Sequence, residues 1–178
     1  MARLGQHPAA ALESIARIPA PLLQVCMIET VAYVAGAKPP EEARPLPAKC
    51  GETLENVLEP GYRANGWSAI GLNAAKALDR AYAWSSFEQG ITAARAMWKK
   101  DSDSDSPNLA SRPAWPSAAQ FKLLFYRAAR SLGADAEALL EKIPGTETAI
   151  LARTGMAGAW LNAPVTPLYT QVRRAEKR

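Results

Sequence analysis

Apolar positions along this 178-residue chain recur with helical spacing, and no stretch alternates apolar and polar residues as a half-buried strand would. The best-patterned segment opens at Ser117. At about 100° per residue, Phe121, Leu124, Phe125, Ala128 and Leu132 form one stripe. Lys122, Arg127 and Arg130 lie opposite it, with Tyr126 among them. Ser117-Ala118-Ala119-Gln120 supplies a capping box and Gly133 a stop. Further upstream, Pro21 to Ala35 is apolar nearly all round, which predicts a helix at the centre of the core, ended by Gly36. Pro8 takes the first position of a segment through Arg17, and Pro19 and Pro21 break it.

The remaining punctuation predicts further short helices. Lys38 to Gly51 is rich in proline and almost without periodicity, and reads as a loop. Glu52 to Glu59 reads as a short helix with Glu52, Glu55 and Glu59 on one face, closed by Pro60-Gly61. Gly61 to Ser68 is then a helix-to-helix turn with Ser68 as an N-cap. Ser68 to Lys100 is the longest helical stretch. It reads as two helices restarting at Ser85-Ser86, or as one rod bent near Gly90. Asp101 to Pro116, dense in Ser, Asp and Pro, reads as a mobile acidic linker. Beyond Gly133, Asp135 caps a helix stopped by Pro144-Gly145, and Thr146 caps another running toward Trp160 and ended by Pro164. Thr166-Pro167 opens a last helix to about Lys177. The predicted architecture is an all-α bundle of roughly seven or eight helices. Residues 1–100 and 117–178 form helical parts packed as one domain, joined by the 101–116 linker.

Composition sharpens this picture. Hydrophobic residues at 48% and charged ones at 21% match a globular protein. Abundant Ala with sparse Val, Ile and Thr favours helix over sheet. The apolar run Ile18 to Ala37 is interrupted by Gln24 and Glu29, so it reads as a core helix rather than a signal or membrane segment. The expected location is the cytoplasm, where Cys26 and Cys50, lacking a CxxC spacing, stay reduced.

The candidate chemistry is mostly negative. One histidine, His7, sits ahead of the first helix, which removes Ser-His, Cys-His and multi-histidine metal arrangements. Gly61 to Ser68 has the glycine spacing of a P-loop, but Trp67 stands where its lysine belongs and no strand precedes it. Gly66-Trp67-Ser68-Ala69-Ile70-Gly71 misses a nucleophile elbow by one residue. Asp101-Ser102-Asp103-Ser104-Asp105 opens like a calcium loop, yet Ser106 and Arg112 hold the positions that need Gly and Glu. The Glu52, Glu55 and Glu59 face reads as solvated rather than as a catalytic carboxylate pair. No enzyme activity, cofactor or metal is expected.

What remains is positive charge on helix faces. The net charge is +4 and the isoelectric point about 9.2, a mild excess that allows an acidic partner. Lys122, Arg127 and Arg130 with Tyr126 have the composition of a nucleic-acid contact, cations for phosphates and a ring for a base. Any soluble amphipathic helix also needs a polar outer face. Arg95 and Lys99 lie four apart on the long helix, and Arg173, Arg174 and Lys177 make the C-terminal end basic. Trp84 and Trp98 fall on nearly one side of a continuous helix, as core residues do. Trp115, between Pro113 and Pro116, either docks on the protein's own body or anchors a partner subunit. The expected function is a non-catalytic small helical subunit of a larger nucleoprotein assembly, contacting nucleic-acid backbone without sequence preference. In size, helicity and charge, though through no motif, the chain is similar to small helical subunits of RNA-guided CRISPR effector complexes. The alternatives are a protein-only adaptor, chaperone or immunity-type protein meeting an acidic partner, and an enzyme with an unseen cofactor.

Overall fold

The computed structural model describes residues 8–103, 116–143 and 145–162, and every element in them is helical. In chain order these are α1 (Pro8–Ile15), α2 (Pro21–Gly36), α3 (Pro40–Ala43), α4 (Pro45–Leu54), α5 (Pro60–Lys76), α6 (Arg80–Asp103), α7 (Pro116–Leu132), a 3-10 segment (Gly133–Lys142) and α8 (Thr146–Trp160). The chain is thus an all-α bundle. No strand occurs among the described residues.

Proline accounts for most of the corrected boundaries. Pro8, Pro21, Pro40, Pro45, Pro60 and Pro116 each stand at the first residue of a helix. There the missing N–H is no loss and the fixed φ already suits the helix. The stretch expected as a loop, Lys38 to Gly51, therefore holds α3 and most of α4, and Cys50 is buried in a helix. Pro60-Gly61 opens α5 instead of closing a glutamate helix. Gly61 to Ser68 is helix interior, and the buried Ser68 hydroxyl donates to the Asn65 carbonyl at 2.8 Å. The restart expected at Ser85-Ser86 comes earlier. Leu78 at φ 61 breaks the chain, and the Asp79 carboxylate accepts the Tyr82 N–H at 3.0 Å.

Helix α5 is the axis of the molecule. One apolar cluster, built on Phe87, Ile91, Phe121, Phe125 and Met156, takes Ala64 and Ala74 from α5. A second, built on Val25, Ile28, Cys50 and Leu54, takes Trp67 and Ile70 from it. A helix buried on both sides needs small residues where neighbours approach. A Cβ on Gly66 would lie 2.7 Å from the Leu54 methyls, so α4 can pack this closely only against glycine.

The apolar stripe of α7 is buried as its spacing predicts, from Phe121 through Leu132, and Gly133 at φ 65 ends the helix. Its N-terminus is capped differently from expectation. Helix α6 runs on through Asp103, and the Asp101 carboxylate accepts both the backbone N–H and the hydroxyl of Ser117. Ser117 is therefore held by the preceding helix and does not act as its own cap. Asp135 is likewise not a cap, since its carboxylate pairs with Arg80, whose guanidinium also donates to the Leu132 carbonyl at 3.3 Å. The segment beyond it is 3-10 rather than α. The rest of the expected linker (104–115), with Trp115, the helix expected from Thr166 and His7 lie outside the described residues. Both cysteines are free thiols.

Candidate functional site

Helical spacing predicts a single basic face on α7, and the fold divides that face. Lys122 and Tyr126 are half-buried, and Tyr126 packs on the larger apolar cluster. Arg130 is exposed and donates to Asn162 Oδ1 at 2.6 Å, which ties the end of α7 to the second residue beyond α8. Arg127 turns inward, its side chain only 12% exposed. Its Nη1 donates to the Asn65 carbonyl at 2.9 Å, to Asn65 Oδ1 at 3.1 Å and to Ser68 Oγ at 2.7 Å, all on α5. It also stands 3.6 Å from Glu29 Oε1 on α2, an atom that accepts from Asn65 Nδ2 at 2.6 Å. Burial pushes the Glu29 carboxyl above its ordinary range while the Arg127 charge and hydrogen bond pull it back. In this structure Arg127 serves the interior.

Arg95 and Lys99 have a different setting. With Thr92 and Ala96 they occupy positions i, i+3, i+4 and i+7 of α6, a single face of the helix. That face borders a cleft of about 490 Å³, completed by Trp98, Phe121 of α7 and Thr148 in the first turn of α8. Phe121 is fully buried and forms the floor. Trp98 is half-buried and meets it edge-on, ring centroids 6.0 Å apart and planes at 77°. Both cations are exposed, and neither is ion-paired among the described residues. Nearby carboxylates on α6 are engaged elsewhere, Glu88 with Lys142 at 3.4 Å and Asp101 with Ser117. The Thr92 hydroxyl donates to the Glu88 carbonyl and the Thr148 hydroxyl to the Gly145 carbonyl. The arrangement can hold an anion at its rim and a flat apolar group against its wall.

A second concentration of ionisable groups surrounds the α4–α6 contact. Burial pushes the Cys50 thiol up to about 12. Burial raises the Tyr82 phenol to about 12 as well, helped by Cys50, Glu52, Glu55 and Asp79. Groups held neutral in this way do not make a nucleophile at neutral pH. The three glutamates do not act as a set, because Glu59 pairs with Lys100 at 3.7 Å across α5 and α6 while Glu52 and Glu55 face solvent. Among the described residues no group of His, Cys, Asp and Glu is arranged to hold a metal, and no helix is long and apolar enough to cross a membrane.

Thr92, Phe121 and Thr148 as cleft residues, and Glu29, Asn65 and Ser68 as partners of Arg127, emerge only from the structure. The spacing of Thr92, Arg95, Ala96 and Lys99 was a usable signal for the first group. For the second, the signal was a lone carboxylate inside the apolar α2. Arg173, Arg174, Lys177 and Trp115 lie outside the described residues. Compared with protein families, curated proteins and solved structures, the chain matches none, so the functional reading rests on its own residues.

Proposed function

We propose that this chain is a non-catalytic helical subunit that contacts nucleic-acid backbone. The observation that carries the reading is the cleft, where Arg95 and Lys99 stand exposed and without ion pairs beside Trp98 and Phe121. Exposed cations gain by meeting phosphates because condensed counterions are released, and an adjacent ring adds stacking that tolerates any base. Lys122 and the exposed Arg130 of α7 add further positive charge among the described residues. Trp160 and Leu161, 52% and 79% exposed at the end of α8, are side chains of the kind that anchors partner subunits.

The test is binding of labelled RNA and DNA, single- and double-stranded, across a salt series. Arg95→Ala and Lys99→Ala are each expected to weaken binding for every sequence and to flatten the salt slope by about one counterion. Wild-type protein that binds no nucleic acid at low salt, and captures a stoichiometric acidic protein instead, would replace this reading with the protein-only adaptor.

A further inference from the structure

We infer that the cleft between α6, α7 and the start of α8 binds an unpaired nucleoside phosphate, its base against Trp98 and its phosphate on Arg95 and Lys99. The inference rests on the nucleic-acid reading above and makes it specific. Three features select this ligand. The first is charge placement: residues four apart on a helix are about 6 Å apart along its axis, so both cations reach one phosphate or two successive ones. The second is the wall. Trp98 and Phe121 are braced edge-to-face, and Phe121 is sealed in the core, so the indole is held at a set angle rather than swinging free. The third is size. A volume of about 490 Å³ suits one small organic group. A duplex keeps its base faces covered by neighbouring pairs, so only an unpaired base can lay its face on an aromatic ring. The Thr92 hydroxyl oxygen supplies an acceptor at the rim, suited to the N–H groups of a base edge or a ribose hydroxyl.

The experiment uses the full chain and three probes: a nucleoside monophosphate, a single-stranded oligonucleotide and a blunt duplex of the same sequence, measured by competition against a labelled single strand. The single strand is expected to bind at least ten-fold more tightly than the duplex. Arg95→Glu/Lys99→Glu, at exposed positions, should abolish that preference with the melting temperature unchanged. Trp98→Leu should weaken single-strand binding roughly five- to hundred-fold, and Trp98→Phe should restore most of it. Should Trp98→Leu not fold, the single-to-double-strand ratio of the Arg95→Glu/Lys99→Glu protein decides alone. A mononucleotide binding as tightly as the oligonucleotide would support the site and assign it to a free nucleotide. Equal affinity for single strand and duplex, both lost in Arg95→Glu/Lys99→Glu, would overturn this inference and leave the backbone-binding function standing. No binding to any probe would overturn both.

Discussion

Arg127 Nη1 stands 3.6 Å from Glu29 Oε1, and the contact reaches across α5 from α7 to α2. The two apolar clusters meet along α5, and this pair joins a helix of one to a helix of the other. Asn65 of α5 hydrogen-bonds to both members of the pair, and Ser68 accepts from Arg127 Nη1. Both side chains are largely buried, 12% and 15% exposed, so solvent screens the pair little.

Removing one partner of such a pair strands the other. Arg127→Met is expected to cost about 3 kcal/mol in urea unfolding at pH 7, because Glu29 is left buried and unpaired. The Arg127→Met/Glu29→Gln double variant should recover part of that loss. A single variant within 0.5 kcal/mol of wild type, the range of an ordinary surface substitution, would mean that Arg127 is not structural.

The same carboxyl makes stability depend on pH in a defined direction. Folding raises the Glu29 pKa above its ordinary 4.5, so the folded chain holds that proton to higher pH than the unfolded one. Its contribution therefore falls as pH rises from 4.5 through the folded value, and levels off above it. Glu29→Gln should remove this fall, while Arg127→Met should steepen it and extend it upward. Unfolding curves at half-unit pH steps measure both, and an unchanged profile in Glu29→Gln would rule Glu29 out as its source.

Gly155 is where α8 lies on α7. A Cβ there would sit 2.1 Å from the Lys122 carbonyl oxygen, a backbone atom that cannot swing aside. Gly155→Ala should destabilise by about 2 kcal/mol despite alanine's better helix propensity, because the two helices must separate. Gain of stability instead would place α8 differently.

Asp101 tests the cap borrowed from α6. Asp101→Ala should cost about 1 kcal/mol and speed amide exchange at Ser117 ahead of the rest of α7. Equal exchange rates in both proteins would show the cap to be idle.

The thiols offer a quick check on packing. Cys50 is fully buried with its pKa near 12, so a disulfide reagent at pH 8 should titrate it only as the protein unfolds. Cys26, half-buried and with its thiol raised by burial and by the Glu29 charge, should react first but slowly. Two fast thiols in native protein would contradict the α4–α5 packing.

Local chemistry alone determined the elements with a strong period or an unambiguous cap. Pro21 to Gly36 and the α7 stripe ending at Gly133 could be read because each signal lies within a few residues of what it controls, whereas Thr146, expected as a cap, is the first helical residue of α8 and Gly145 stands at its N-cap. Proline was legible as punctuation but not as direction. The same ring that ends one helix begins the next, and whether Pro40, Pro45 and Pro60 close or open depends on what the following residues pack against. Ser68, Asp101 and Asp135 looked like caps or linker residues, and each took a partner distant in sequence instead.

The candidate site was half legible for the same reason. Arg95 and Lys99 could be placed on one helix face from their spacing, but the ring of Phe121 and the hydroxyl of Thr148 reach them only through the packing of α7 and α8. Arg127 shows the limit most directly. Its angle on the helix matches that of a solvated cation, and no pattern within α7 distinguishes the two cases. Tertiary structure decided, because only α5 and α2, folded against it, bring Asn65, Ser68 and a buried carboxylate within reach of the guanidinium. A charge goes inside when partners there replace its water, and those partners lie on other helices.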